Sequence, residues 1–191
     1  MVLMNSIMIG LVLDRCKGGT LEEAILIANA AHFGQTDRGG NPYILHPMAV
    51  MERVKAHSDE YKIVAILHDV VEDSDFVNYD ILRRCGFSEP VVRAISLLER
   101  PKDVSIIEFA TKLATMDCSD ASVRMAMRVK LADLKENSDL SRLKKVHEKD
   151  MIRRGQYLQA HRMIAASLKN QVINLATTQE LQKILNSVDN M

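Results

Sequence analysis

The stretch EYKIVAILHDVVED, residues 60–73, decides the fold class. Its apolar side chains stand at positions 63, 64, 66, 67, 70 and 71, and at helical periodicity they nearly encircle the axis. Ser58 and Asp59, which precede the stretch, suit the start of a helix. A helix that is apolar on almost every side needs to be buried. We therefore predict a helix over residues 60–73 in the middle of the domain.

The segments on both sides of this stretch carry the same helical period. Thr20 and Glu23 form a capping box at the start of one predicted helix, and Pro47 suits the first turn of another, with His46 at its entrance. No segment alternates polar and apolar residues as a half-buried strand does. The sequence therefore predicts an all-α fold, a single-domain helical bundle. Further helices are predicted at residues 20–33, 78–85, 88–99, 105–116, 119–136, 148–169 and 174–187.

Length and composition favour one domain. A chain of 191 residues with 47% hydrophobic content is long enough to bury a core without disulfides or structural metals. We assign residues 20–170 to the domain, 1–19 to an N-terminal segment and 171–191 to a C-terminal helix that packs on the domain. The apolar start, Met1 to Leu13, is too short to span a bilayer. We interpret it as a docking segment or a misplaced start, and we expect no membrane span.

Charge and cysteine content narrow the class of partner. Lys and Arg together number 25, as do Asp and Glu, so the formal net charge is zero and duplex nucleic acid is not an expected partner. An anionic ligand has to be bound by local cations. Cys16, Cys85 and Cys118 are widely spaced and form no Cys-x-x-Cys pair, which favours a reducing, cytoplasmic location. Oligomeric state does not follow from the sequence.

Three separated segments supply residues of the kind that bind a divalent metal: His46, His68, Asp69 and Asp133. Two nitrogen and two oxygen ligands form a borderline set, which suits manganese, iron, cobalt, nickel or zinc better than calcium. Mn²⁺ is our first choice by ligand type. Taken singly, each residue has an ordinary alternative, because His68 could be a hydrogen-bonded core histidine and Asp133 a solvated surface charge.

Glu72 and Asp73 are the candidate acid–base groups. They follow His68 and Asp69 by four residues, so they share the same side of the predicted helix. A carboxyl group in that position can orient the attacking water or protonate a leaving oxygen. This arrangement is typical of a hydrolase, with phosphate esters as the natural substrate. The alternative is that Asp73 only ends and solvates the helix.

Basic residues near Asp133 could bind phosphate. Lys130 and Arg142 are the two that we select, although a solvated helix face accounts for most basic runs of this kind. His32 lies at a predicted helix end, where an imidazole can cap carbonyl groups, so we expect it to be structural.

Four segments resemble a known family: AHFGQ at 31–35, GNPYILHP at 40–47, LHDVVEDSD at 67–75 and VKLAD at 129–133. Together they resemble the HD-domain phosphohydrolases, and within them the hydrolase domain of the RelA/SpoT family and its stand-alone small alarmone hydrolases. The resemblance implies an HD-type bundle, Mn²⁺ bound by the four ligands above, and a water activated or positioned by the two acids. It also implies a nucleotide partner and removal of the 3′-pyrophosphate from guanosine tetra- or pentaphosphate.

The same resemblance assigns two substrate residues, and the chain departs from the family pattern in three places. Residues 133–137 read DLKEN where the family usually has DRLHN, the segment around Leu98-Glu99-Arg100 lacks the family's Thr-Lys element, and the third departure is in the substrate loop. Asn137 matches an asparagine placed beside the nucleoside, and its helical spacing puts it on the Asp133 face. Arg38 matches a basic residue of the substrate loop. The family usually has two consecutive basic residues there, whereas this chain has Asp37 before Arg38, and we expect that acid to repel a crowded polyphosphate. Two alternatives therefore stay open: hydrolysis of a nucleoside monophosphate or dinucleotide second messenger, or a non-catalytic module that binds metal and nucleotide.

Overall fold

The computed structural model describes residues 2–189, and their secondary structure is helical. The strand-like feature within this range is an isolated bridge between Thr36 and Pro42. The all-α prediction is confirmed. Met1, Asn190 and Met191, which belong to the predicted terminal segments, lie outside the described residues. The helices are α1 (Val2–Arg15), α2 (Leu21–Ala31), α3 (Leu45–Arg53), α4 (Asp59–Leu67), α5 (Val70–Asp73), α6 (Tyr79–Arg84), α7 (Glu89–Ser96), α8 (Ile106–Ala114), α9 (Ala121–Asn137) and α10 (Glu148–Asp189).

Helix α4 lies at the centre of the fold. Its Ile63, Val64, Ile66 and Leu67 are all buried, and the helix contacts α2, α3, α7 and α9. Apolar side chains on all sides of a helix are removed from water only when other helices surround it. The central position that we predicted from the stretch 60–73 is confirmed.

The predicted helix over residues 60–73 is not continuous. Helix α4 ends at Leu67 and α5 begins at Val70, so His68 and Asp69 lie at the junction between them. The Nδ1 atom of His68 is 2.7 Å from the carbonyl oxygen of Ala65, the acceptor that the amide of Asp69 would use in a continuous helix. The two residues that we selected as metal ligands therefore lie at an interruption of the helix.

Helix α10 corrects the prediction at the C-terminal end. Two helices were expected, at 148–169 and 174–187, but one helix runs from Glu148 to Asp189. No proline or glycine stands between positions 169 and 174 to end it. Gln171, in the expected gap, donates to the carbonyl of Met116 at 3.1 Å and thereby fastens α10 to the segment before α9. The predicted boundary between residues 170 and 171 falls inside this helix.

The N-terminal segment forms α1, which packs against α2. Ile9 in α1 is buried, as is Cys16 just after it. Burial, followed by the nearby thiol of Cys85, raises the pKa of the Cys16 thiol to about 11. Within residues 2–189, no helix combines the length and apolarity needed to cross a membrane.

Candidate active site

The predicted metal ligands come from three places in the fold. His46 lies in the first turn of α3, His68 and Asp69 lie at the α4–α5 junction, and Asp133 lies on α9. Ligand atoms of His46, His68 and Asp133 all lie within 4.8 Å of one another, and all three residues are buried. Burial rules out the alternative in which Asp133 is a solvated surface charge. The packing of α3, α4 and α9 therefore brings these residues into one cluster.

Asp69 borders this cluster. Its Oδ2 atom is 3.1 Å from Nε2 of His68 and 3.8 Å from Nε2 of His46. The same oxygen accepts a 2.6 Å hydrogen bond from the hydroxyl of Tyr43. Tyr43 belongs to the loop before α3, and nothing in its sequence spacing connects it with Asp69. Its hydroxyl fixes the direction of a carboxylate that we selected as a ligand.

The donor set fits a cation. Nδ1 of His68 bonds to a backbone carbonyl, so the proton of a neutral ring lies there and the lone pair of Nε2 faces the carboxylates. That Nε2 atom is buried and has no hydrogen-bond partner within the described residues. Oδ1 of Asp133 lies 3.3 Å from Nε2 of His46 and 3.8 Å from Nε2 of His68. Lone pairs of nitrogen and oxygen that converge in this way require a positive charge between them.

The pKa values of the cluster show that a proton on His68 can supply this positive charge. Burial opposes charge on His68, but the Asp69 and Asp133 carboxylates raise its pKa to about 10. Burial also opposes ionisation of Asp69, yet His68 holds the pKa of that carboxyl below its ordinary value. The pKa of Asp133 is well below its ordinary value despite burial, chiefly because of Lys130. Carboxylates that stay ionised in a buried cluster can bind a proton on His68 or a divalent ion in its place.

A chain of polar contacts leads from Asp133 to the rest of the cavity. Lys130 donates to Oδ2 of Asp133 at 2.8 Å, and the amide of Asn137 donates to Oδ1. Arg142 donates to Oδ1 of Asn137 at 3.1 Å. Lys130 is buried, with its Nζ 5.3 Å from the ring centroid of Phe109. We selected Lys130 as a phosphate-binding cation, and the structure shows that its ammonium group is already paired with the candidate metal ligand Asp133.

The two candidate acids lie in different surroundings. Glu72 lines the cavity, whereas Asp73 is not among the lining residues. Partial burial, followed by the Asp69 carboxylate, raises the pKa of Glu72. The same two causes raise the pKa of Asp73, and the nearby His32 works against them. Within the described residues, Glu72 therefore faces the cavity, and Asp73 lies behind it beside Tyr43.

In the loop before α3, the carboxylate of Asp37 does not stand free to repel a polyphosphate, as the sequence suggested, but is hydrogen-bonded to the backbone. Its Oδ1 atom accepts from the backbone amides of Gly39 and Asn41 at 2.8 and 2.9 Å, and Arg142 lies 3.8 Å from Oδ2. These contacts hold the pKa of the Asp37 carboxyl below its ordinary value, although burial works against them. The carboxylate organises the loop and is partly balanced by Arg142. The expected repulsion of a polyphosphate is therefore weaker than its bare charge suggests.

Arg38, the predicted substrate-loop cation, pairs with Asp150 in the first turn of α10. The side chain of Asp150 is only 1% exposed, whereas that of Arg38 is 44% exposed and also lines the cavity. Asp150 in addition accepts from the amide of His147 at 2.9 Å. The loop and α10 are therefore tied together at the mouth of the cavity.

The cavity has a volume of about 540 Å³, a size suited to a nucleotide. Sequence reasoning missed part of its lining. Arg100 lies in a segment that departs from the family pattern, and Arg153 and Tyr157 are contributed by α10. The spacing of four residues between Arg153 and Tyr157 indicates a shared helix face, but only the tertiary packing shows which face meets the cavity. Its Lys and Arg side chains are Arg38, Arg100, Lys130, Arg142 and Arg153.

Comparison with characterised proteins gives partial sequence matches. The chain is 38% identical over 85 residues to the bifunctional (p)ppGpp synthase/hydrolase SpoT of Escherichia coli, covering 43% of this chain and 12% of that protein. It is 32% identical over 120 residues to the guanosine-3′,5′-bis(diphosphate) 3′-pyrophosphohydrolase of Haemophilus influenzae, covering 59% and 17%. Over these segments the chain is similar to RelA/SpoT-type hydrolases. No protein-family model matches it.

The fold is similar to that of one solved structure. A solved structure of a metazoan ortholog of SpoT, described as hydrolysing ppGpp, superimposes with a TM-score of 0.62 at 21% sequence identity. The superposition covers 79% of this chain and 86% of that one, which supports the expected HD-type bundle. The curated relatives are much longer, since the matches span 12 to 17% of the two proteins just named.

Proposed function

We propose that this chain is a metal-dependent phosphohydrolase that removes the 3′-pyrophosphate from guanosine bis(diphosphate)-type alarmones. The observation that carries the proposal is the buried convergence of His46, His68 and Asp133, with Asp69 beside them, at a cavity rich in basic side chains. The similarity to SpoT-type hydrolases agrees with this chemistry.

The proposed metal ligands are His46, His68, Asp69 and Asp133, and the proposed ion is Mn²⁺, with other divalent transition metals as alternatives. A divalent ion in this set would polarise a phosphoryl oxygen and lower the pKa of a water molecule. The chain supplies two carboxylates to balance the charge of the ion. The hydroxyl of Tyr43 keeps Asp69 in place by its 2.6 Å hydrogen bond.

Glu72 is the proposed catalytic acid–base residue. It lines the cavity, and partial burial raises its pKa. A carboxyl group is a better acid–base catalyst when its pKa lies closer to the pH at which the enzyme works. We propose that its carboxylate orients the attacking water and takes its proton. Asp73, one residue further along α5, is proposed to act with it by keeping a second negative charge beside the Tyr43–Asp69 pair.

The proposed substrate contacts follow from the cations and amides around the cavity. Arg142 and Asn137 form one hydrogen-bonded unit next to Asp133, and Arg38 lies at the mouth. Lys130 lines the cavity close to the candidate ligands, where it would meet a phosphate group bound to the ion. We therefore propose that Arg38, Lys130, Asn137 and Arg142 bind the nucleotide, in a cytoplasmic enzyme whose three cysteines are free.

A second candidate is hydrolysis of a nucleotide with fewer phosphates. One observation favours it: Arg38 is paired with Asp150 and is preceded by an acid, so this loop offers less free positive charge than two consecutive basic residues would. A non-catalytic binding module has no comparable support, because Glu72 and the full candidate ligand set are present.

The experiment is a substrate panel. Purified protein is incubated with guanosine tetraphosphate and with nucleoside mono-, di- and triphosphates, with Mn²⁺ or with a chelator, and released pyrophosphate and phosphate are measured separately. We expect metal-dependent pyrophosphate release from the tetraphosphate. Phosphate release from another nucleotide would mean that the proposed substrate is wrong and that the proposed catalytic site is right. Nucleotide binding without turnover would overturn the proposal in favour of the binding module.

A further inference from the structure

A second concave surface lies on the other side of α9. It has a volume of about 740 Å³ and is bounded by the end of α3 and the turn after it, by one face of α9 and by α10. No residue that lines it also lines the candidate active site. A cavity of this size suits a small molecule rather than a single inorganic ion.

The surface of this second cavity is basic. Within the described residues, four Lys or Arg side chains face two Glu side chains, and the imidazoles of His57 and His161 also line it. Leu131 and Ala132 supply an apolar floor. The combination of an apolar floor with a few polar groups is typical of a binding site for an organic anion. The charged lining residues are Glu52, Arg53, Lys55, Arg128, Lys135 and Glu136.

Two of the four cations form ion pairs with the two Glu side chains. Arg53 lies 2.8 Å from Glu136, and Lys55 pairs with Glu52. Within the described residues, the ion pairs do not include Arg128 or Lys135. Arg128 is moreover half-buried, and a guanidinium in that position without a counter-ion is held at a cost in solvation. A positive charge is thus left uncompensated in a concave, partly apolar place.

Three of the lining side chains can donate hydrogen bonds to an anion. Arg128 and Lys135 are seven residues apart on α9, and they therefore share a helix face. His161 of α10 faces them across the cavity: burial, followed by the charge of Lys135, lowers its pKa. A neutral imidazole still has one N–H to donate. Guanidinium, ammonium and imidazole N–H groups all donate to phosphate oxygens.

We propose that the cavity between α3, α9 and α10 binds a phosphate-bearing small molecule, with its anionic group held by Arg128, Lys135 and His161. This site is separate from the one that would hydrolyse a nucleotide, and the proposal does not depend on that activity. The two sites share their supporting helices, because α3 also carries His46 and α9 also carries Asp133.

The test uses inorganic pyrophosphate as the probe. It is titrated into the full chain in metal-free buffer, and the ring resonances of His57 and His161 are followed by NMR. We expect a saturable shift of both rings. In Arg128→Gln/Lys135→Gln the apparent affinity should fall at least tenfold, whereas Lys112→Gln/Lys169→Gln, exposed positions that line neither cavity, should bind as the unsubstituted protein does.

Two results would overturn the proposal. One is the absence of a saturable shift at both rings up to about 10 mM, a concentration that detects even weak binding. The other is equal weakening in the two double variants, which would mean that only the overall charge matters. The variant His161→Gln tests the site without a substitution on α9, and its affinity is measured from the ring resonances of His57. Unchanged affinity in this variant would show that His161 does not bind the anion.

Discussion

Asp133 connects the candidate metal cluster to the substrate side of the cavity. One carboxylate oxygen lies near both imidazoles and accepts from Asn137, and the other accepts from Lys130 at 2.8 Å. A buried carboxylate is tolerated because each of its oxygens has such partners. Loss of Asp133 would leave the buried ammonium of Lys130 without a partner as well as removing a ligand.

Glu72→Gln should retain metal but lose activity. The amide keeps the shape of the side chain but cannot take a proton, so we expect turnover of guanosine tetraphosphate to fall roughly 100-fold or more. Metal content and turnover are measured on the same sample. Glu22→Gln, an exposed position on α2, is the matched control and should behave as the unsubstituted protein. Unchanged turnover in Glu72→Gln would show that Glu72 is structural.

Asp37→Arg should weaken substrate binding, contrary to what the sequence alone suggests. The carboxylate accepts from the amides of Gly39 and Asn41, and an arginine cannot. Loss of hydrogen bonds to a charged group costs about 1.5–3 kcal/mol, and because the substrate then has to order the loop on binding, we expect KM to rise by up to roughly tenfold to a hundredfold. Asp37→Asn retains an acceptor oxygen and should keep most of the affinity. A lower KM in Asp37→Arg would contradict this account of the loop.

Among the helices, α2 shows most clearly what local sequence determines. The Thr20 side chain accepts from the amide of Glu23, and the Glu23 side chain accepts from the amide of Thr20, as the capping box predicted. Capping and helical period involve residues within one or two turns, so the sequence alone predicts them. The interruption at His68 and Asp69, and the contribution of Arg153 to the cavity, depend on packing between distant segments and were not predictable.

Glu23→Ala should destabilise the protein in a pH-dependent way. Burial opposes ionisation of Glu23, but the amides of Lys17, Gly18 and Thr20 hold its pKa below the ordinary value. A depressed pKa means that the stabilisation is complete above the unfolded-state pKa of about 4.3 and is lost as pH falls through the folded-state pKa. We expect a loss of about 1 kcal/mol in the free energy of unfolding at pH 7.

Urea denaturation across the pH range measures this effect. The difference between the unsubstituted protein and Glu23→Ala should shrink at acid pH, once the carboxyl is protonated in both states. Glu23→Gln keeps an acceptor oxygen but cannot ionise, so its difference in stability from Glu23→Ala should not change with pH. A difference that stays constant with pH would mean that the carboxylate contributes only through packing.

For the molecule as a whole, metal binding should be coupled to folding stability. The candidate ligands lie on α3, at the α4–α5 junction and on α9, so the ion would cross-link segments that are far apart in sequence. Binding to the folded state alone adds about 2.7 kcal/mol when the free metal is at 100 times its Kd. Thermal unfolding with and without Mn²⁺ measures this gain, which His68→Ala should lose and His147→Asn, an exposed position, should keep. An equal shift in both variants would place the metal elsewhere.

The most direct measurement adds Mn²⁺ back to metal-free protein while pyrophosphate release from guanosine tetraphosphate is followed. Asp133→Ala is measured beside Asp139→Ala, an exposed position outside the candidate active site, and circular dichroism checks that both variants are folded. We predict that activity rises to saturation in the unsubstituted protein and in Asp139→Ala, and stays at background in Asp133→Ala. Full activity in the presence of chelator, or in Asp133→Ala, would contradict the assignment of the cluster as a catalytic metal site.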